Sequence, residues 1–540
     1  LREFSLPALY EVPADGNLTD LIRRNAAQHP DVAVMSRKVA GVWTDVTATR
    51  FLAEVKDTAR GLIASGIQPG DRVALMSRTR FEWVLLDFAI WCAGAVTVPV
   101  YETSSAEQVQ WILGDSGAVA VVVESGAHAE SVASVRDRLP ALEHVWEIDR
   151  GAVGELVAAG AGVTDETLDL RMVSAKADDP ATIVYTSGTT GRPKGCVLTH
   201  RSFFAECGNI VERLKPLFRT GECSVLLFLP TAHVFGRLVE IASVMAPIKL
   251  GCVPDIKNLT DELASFRPTL ILGVPRVFEK VYNSARAKAQ ADGKGKIFDR
   301  AADTAIAYSR ALGTPEGPST GLRIKHKVFD KLVFGKLRAV LGGRGEYAIS
   351  GGAPLGERLG HFFRGIGFTV LEGYGLTESC AATAFNPWDR QKIGTVGQPL
   401  PGSVVRIADD GEVLLHGEHL FTGYWKNEAA TAEALADAWF HTGDIGTLDE
   451  EFLSRWAEEH GKPAGSTAFS LREDPELLAE VQRAVDDGNA AVSKAESVRK
   501  FRVLGAQFTE EAGHITPSLK LKRNVVAKDF ADEVESIYRG

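Results

Sequence analysis

Along the first third of the chain, apolar residues follow two rhythms in alternation. In "FLAEVKDTARGLIASG" (51–66), Leu52, Val55, Ala59, Leu62 and Ile63 fall at helical spacing, which predicts an amphipathic helix. "PGDRVALMS" (69–77) reads as a turn entering a short strand. A helix over 81–93, a strand "AVTVPV" over 95–100, a helix over 105–117 and a strand "AVAVVVE" over 118–124 follow. Such alternation predicts an α/β architecture of layered, mostly parallel sheets. The most apolar stretch, 83–100, is interrupted by Asp87, Gly94 and Pro99, so it reads as a buried helix passing into a strand rather than a membrane span. Residues 149–164, rich in Ala and Gly, read as a surface excursion, 284–312 as helical and 313–320 as a loop.

Beyond about residue 400 the texture changes. "GSVVRIADDGEVLLHG" (402–417) has hairpin character, with Asp410-Gly411 as its turn pair. Residues 451–540 alternate charged helical patterns with one strand-like run, 500–508. This predicts a large amino-terminal domain of several subdomains over 1–447 and a small α+β carboxyl-terminal domain over 448–540.

Composition changes this picture only by exclusion. A formal net charge of −10 argues against a nucleic-acid partner, yet local cations can still hold a phosphorylated ligand. Six scattered cysteines with no CxxC pair fit neither a zinc site nor a disulfide framework, and point to reduced thiols in a cytoplasmic setting. The amino terminus has no apolar signal core. The basic run "RIKHKVFDKLVFGKLR" (323–338) reads as a solvated amphipathic helix, with peripheral contact to an anionic membrane as the alternative.

Candidate chemistry starts at "ATIVYTSGTTGRPKG" (181–195), a buried strand ending in a polar loop. Its glycines free backbone N–H groups, Thr186, Ser187, Thr189 and Thr190 add hydroxyls, and Arg192 and Lys194 add charge, which suits a polyphosphate. It is not the common GxxxxGK[ST] loop, because Gly195 follows Lys194, and a plain connection is the bland alternative.

Further blocks follow in order: "ISGGAPL" (349–355), "LEGYGLTESC" (371–380), "KIGTVGQPLPG" (392–402) and "WFHTGDIG" (439–446). Together with the loop they resemble the signature blocks of the adenylate-forming, AMP-binding superfamily. The strings at 267–283 and 495–523 resemble its bacterial long-chain fatty-acid CoA ligase branch. The resemblance implies an ATP-, Mg²⁺- and coenzyme A-dependent ligation of a medium- or long-chain fatty acid, through an acyl-adenylate, with release of AMP and pyrophosphate. It also implies roles. Thr186, Ser187, Gly188, Thr189, Thr190 and Lys194 would wrap the outer phosphates, and Glu378 would hold Mg²⁺ with Thr186 as a second contact. Thr377 would touch the α-phosphate, while Gly352, Ala353, Pro354, Glu372, Gly373 and Tyr374 would wall the adenine slot. Asp444 would accept the ribose hydroxyls, and His233 and Phe235 would border the acyl pocket.

Lys520 would be the mobile lysine that bridges the carboxylate and α-phosphate; Leu519 stands where the superfamily commonly has glycine, which leaves Lys522 as a competitor. For several of these residues a structural role stays open: a structural histidine, a core tyrosine, a helix N-terminal acid. One departure is larger. After "HTGDIGTLDE" (441–450) the chain passes directly into "EFLSRWAEEHGKPAG", without the basic hinge loop of the family, so a family segment is expected to be missing between 450 and 451. That gap keeps two other readings in view, a fatty-acyl-AMP ligase that loads a carrier protein and a non-catalytic acyl- or nucleotide-binding regulator.

Overall fold

The computed structural model describes residues 3–186, 192–408 and 410–448, together with positions 474, 475, 478 and 479. The strand expected over 500–508, and nearly all of the expected carboxyl-terminal domain, lie outside the described residues. The described residues fall into two compact units: one within Leu6–Ser403 and Gly417–Ala432, the other within Leu1–Ser5, Val404–His416 and Glu433–Gly540.

The larger unit has the layered α/β architecture expected, and contains two sheets. The first runs in the order Gly423–Tyr424, Lys194–Thr199, Pro180–Thr186, Val96–Val100, Arg72–Met76, Ala120–Val123, His144–Glu147. From Pro180–Thr186 onward, neighbours in this sheet pair in parallel. Its central strands are dominated by Val, Ala and Met, and the threonines within them, Thr97 and Thr182, are buried like Val98, Val121, Val123 and Ile183, as in strands covered on both faces. One covering helix, Phe81–Cys92, has every residue from Trp83 to Cys92 buried, so the apolar stretch is core. No helix among the described residues is long and apolar enough to cross a membrane.

The second sheet includes, side by side and parallel, the strands Leu270–Gly273, Tyr347–Ser350 and Thr369–Tyr374. Gly273, Ser350 and Glu372 lie in register at their carboxyl ends, the edge at which open α/β sheets present ligand-binding loops.

The Ala/Gly-rich stretch 149–164 lies mostly at the surface, as expected, and it is helical there. It forms the helix Ala152–Ala159 and the short turn Gly160–Gly162, with Ala152, Leu156 and Gly160 buried, and the helix Asp165–Met172 follows it. A Cβ on Gly61, in the helix Ala48–Ala64, would collide with the Leu156 carbonyl, and one on Gly160 would come within 2.6 Å of the Gly61 nitrogen. Glycine here allows close helix packing. In the smaller unit the expected hairpin is present: Ser403–Ile407 and Glu412–Gly417 are joined through a turn in which Gly411 takes φ +91°. The six cysteines are all unpaired.

Candidate active site

The polar loop closes a β-hairpin. Strand Pro180–Thr186 pairs antiparallel with Lys194–Thr199, and Thr186 stands directly opposite Lys194. Ser187, Gly188, Thr189 and Thr190 lie outside the described residues. The base of the loop is clamped by aromatic groups. The Arg192 guanidinium lies 4.7 Å from the Trp111 ring centre, and Trp111 Nε1 donates to the Pro193 carbonyl at 2.9 Å. Lys194 Nζ lies 4.8 Å from the ring centre of Tyr424. Gly195 gives its neighbours room to approach, since a Cβ there would meet Ile183 at 2.7 Å and Trp425 at 3.2 Å.

Tyr424 connects this hairpin to a second block. Its hydroxyl donates to Glu378 Oε1 at 2.7 Å. The backbone repeats the link, because Phe421 N donates to the Glu378 carbonyl at 2.7 Å and Trp425 N to the Gly195 carbonyl at 2.7 Å. Glu378 itself sits in the one-turn helix Thr377–Ser379 that follows strand Thr369–Tyr374, and this turn packs on Lys194–Thr199. Trp425 Nε1 and Lys426 Nζ both donate to the Asp115 carbonyl, whose carboxylate Oδ2 accepts from the Tyr185 hydroxyl at 2.6 Å. Segment 421–426 is thus a strap holding Glu378 beside the base of the polar loop. None of Tyr424, Trp425, Trp111 or Asp115 is a candidate on sequence grounds; the only signal is an aromatic pair in "GYWKN" (423–427) that has no helical or strand rhythm to serve.

The adenine-slot candidates gather at the ends of the second sheet's strands. Leu355 N, just past the 351–354 loop, donates to Glu372 Oε1 at 2.8 Å. Burial pushes the Glu372 carboxyl up from its ordinary range, against the lowering effect of that bond. A Cβ on Gly351 would touch the Phe235 ring at 3.4 Å and the Gly373 carbonyl at 3.7 Å, so the "GGAP" loop, the "EGYG" strand end and Phe235 meet at one place. Gly352 takes φ +81°, a conformation that disfavours any side chain. The Tyr374 carbonyl accepts from Thr383 N at 2.8 Å, which fixes the strand end.

His233 caps helix Val234–Met245. Its Nδ1 accepts from Phe235 N at 3.1 Å, and the protein packed around the ring lowers its pKa although the residue keeps an exposed face. The cap positions Phe235, whose ring is the part that reaches the loop.

In the smaller unit, Asp444 is exposed next to the end of the strand Phe440–Ile445, with its backbone N donating to Thr442 Oγ1 at 3.1 Å. Glu412 organises this strand end, accepting from Gly443 N at 2.8 Å and bonding His441 Nδ1 at 2.9 Å. Lys520 and Lys522 lie outside the described residues. Among the described residues no three His, Cys, Asp or Glu side chains converge as a protein-only metal cage; Glu378 is a single carboxylate joined through Tyr424 to the hairpin that carries Lys194.

Residues 22–425 match the family model of the AMP-binding enzymes. The chain is 44% identical to the long-chain-fatty-acid–CoA ligase FadD15 of Mycobacterium bovis, over 599 aligned positions that take in 100% of both proteins. The protein of the same name from Mycobacterium tuberculosis matches equally, at 44% identity and 100% of both lengths. Among solved structures, the N-terminal domain of FACL13 from Mycobacterium tuberculosis superposes with a TM-score of 0.62 at 25% identity, covering 81% of this chain and 98% of that one. With its blocks in order along the sequence, and two of them tied together through Tyr424, the chain belongs to the AMP-binding enzyme family.

Proposed function

We propose that the protein joins a long-chain fatty acid to coenzyme A in two steps. In the first, a carboxylate oxygen attacks the α-phosphorus of ATP and the bond to the β-phosphate oxygen breaks, giving acyl-adenylate and pyrophosphate. In the second, the coenzyme A sulfur attacks the acyl carbonyl, the thiol gives up its proton, and AMP leaves. The observation that carries this reading is 44% identity, end to end, with ligases named for that reaction. The joined hairpin and Glu378 turn support it, because the first step needs a polyphosphate held next to a hard anionic ligand.

Within this reading, Lys194 and the hydroxyls of the loop neutralise and orient the outer phosphates, and Phe235 with the 351–354 loop shapes the space beyond. Glu378, with Thr186, would hold Mg²⁺. The donor set fits, since one carboxylate and one hydroxyl leave a small hard cation its waters and phosphate oxygens, and Tyr424 engages only Oε1 of the carboxylate. Bound there, Mg²⁺ would supply charge neutralisation at the phosphates. Asp444 and Lys520 enter as the ribose acceptor and the adenylation cation on resemblance alone, and 1–447 and 448–540 as the two working domains on the same footing.

The test is incubation of the full chain with palmitate, ATP, Mg²⁺ and coenzyme A. Palmitoyl-CoA, AMP and pyrophosphate are expected, and ADP with phosphate would refute the mechanism. One observation favours a second reading. The alignment with the 44% relative spans 599 positions against 540 in this chain, so that relative carries residues with no counterpart here. If these belong to the hinge, pyrophosphate exchange with palmitate would persist while thioester fails, as for an acyl-AMP ligase.

Tyr424 is a positioning residue in this scheme. Tyr424→Phe keeps the ring beside Lys194 and removes only the hydroxyl on Glu378. The Mg²⁺ concentration for half-maximal pyrophosphate exchange is expected to rise about fivefold, the worth of one ordinary hydrogen bond. The thermal midpoint should stay put; an unchanged Mg²⁺ dependence would show that Glu378 needs no such support.

A further inference from the structure

The segment 320–340 is apolar on two faces, and only one of them is used. It comprises the helix Thr320–Phe329, a π turn Asp330–Phe334 and the helix Gly335–Val340. Its inner face is anchored: His326 stacks on Tyr308 with ring centres 3.9 Å apart and bonds the Gly365 carbonyl at 2.7 Å, and Phe334 is wholly buried. On the outer face stand Ile324, Val328 and Leu332, 60%, 50% and 55% exposed. Residues four apart on an α-helix overshoot one turn and drift sideways. The π turn, which begins at Asp330 and has more residues per turn, adds little further drift between Val328 and Leu332, so the three exposed residues stay on one face.

The charges beside this row are one-sided. Lys325, Lys327 and Lys331 flank it and Lys336 follows. The single acid of the segment, Asp330, is already bound by Arg338 at 2.7 Å. Among the described residues these four lysines form no ion pair. A basic, partly apolar face on a chain of net charge −10 is not explained by solubility, for which exposed Ile, Val and Leu in a row are a liability. An apolar ridge fringed by lysines, whose stems lie along it while their ammonium groups reach outward, is the geometry of a helix lying in a lipid interface. Nucleic acid would answer the charge but leave the ridge unused.

We propose that the outer face of segment 320–340 docks on an anionic phospholipid bilayer, with Ile324, Val328 and Leu332 entering the headgroup–acyl boundary and Lys325, Lys327 and Lys331 pairing with lipid phosphates. This goes beyond ligation and is tested without it, so the two can fail separately.

The experiment is co-sedimentation of the full chain with vesicles of phosphatidylcholine alone or mixed with phosphatidylglycerol. Binding to the mixed vesicles is expected, weakening as salt is raised. The triple variant Lys325→Glu/Lys327→Glu/Lys331→Glu should lose partitioning on the order of a hundredfold. Ile324→Ser/Val328→Ser/Leu332→Ser should lose on the order of tenfold, and the loss should remain at high salt. All six positions point away from the core, so the urea midpoints should match the parent and certify the folds. Equal sedimentation of parent and variants, or no sedimentation with phosphatidylglycerol vesicles, overturns the proposal. So does a serine variant that changes only the oligomeric state in light scattering, which would make the ridge a contact between copies of the chain.

Discussion

Glu378→Gln is expected to lower palmitate-dependent pyrophosphate exchange by about 100- to 1,000-fold, the range lost when one preorganised electrostatic contact to a reacting group is removed. Glutamine has the shape of glutamate and a carbonyl that can still accept the Tyr424 hydroxyl, so the tie across the strap survives. The Phe421 N bond to the residue 378 carbonyl involves only backbone and is unaffected. What disappears is the negative charge, and an amide oxygen is a much poorer partner for a hard cation than a carboxylate. The loss should therefore come with a raised Mg²⁺ requirement and an unaltered thermal midpoint. A variant that keeps near-parental exchange and Mg²⁺ dependence would reduce Glu378 to an acid at the start of a short helical turn, and the metal assignment would fall. Read beside Tyr424→Phe, the comparison separates ligand from support: loss in both places the carboxylate at the reaction, while loss only in Glu378→Gln leaves the tyrosine as packing.

The α/β layering was legible because the central strands Arg72–Met76, Val96–Val100 and Ala120–Val123 are short, mostly apolar runs bounded by turn residues, and because helices such as Ala48–Ala64 keep their apolar spacing throughout. The sequence blocks were legible as a set, and those at 181–195, 349–355 and 371–380 carry the ends of strands. Two things were not. Residues 149–164 were expected only as a surface excursion, and their helical packing depends on the approach of Gly160 to Gly61, a contact that Ala/Gly composition does not record. The strap was invisible for a different reason. Tyr424 and Trp425 acquire meaning from Glu378 and from Asp115, which lies 310 residues before Trp425, and no local pattern records a contact at that distance. The loop residues 187–190 and Lys520, the densest chemistry on sequence grounds, lie outside the described residues, so their roles rest on resemblance and on the assays above.

Arg237→Met is expected to cost about 3–5 kcal/mol of stability, the range found when one member of a buried ion pair is deleted. Arg237 Nη2 donates to Asp87 Oδ2 at 2.7 Å with both side chains wholly buried, and Trp83, Trp91 and Phe203 face the guanidinium at 5.2, 5.3 and 5.8 Å. Glu240 is buried beside them, and neither of its oxygens nor Asp87 Oδ1 has a conventional donor. Burial, and after it the neighbouring Asp87, push the Glu240 carboxyl well above its ordinary range, so a proton on Glu240 is the donor the cluster lacks. For Asp87, burial raises the pKa and Arg237 is the main opposing influence. Removing the arginine raises it further.

A carboxyl raised in the folded state binds more protons there than in the unfolded chain, so its contribution falls as pH rises above the unfolded value. The deficit of Arg237→Met should accordingly be larger at about pH 8 than at about pH 5, read from urea midpoints. Because a buried ion pair is worth little against well-packed apolar groups, Asp87→Leu/Arg237→Met/Glu240→Leu should recover most of the loss and flatten its pH dependence. Equal midpoints for parent and single variant, or a single-variant deficit that shrinks toward alkaline pH, would mean that the cluster is hydrated and not the dry triad that the geometry describes.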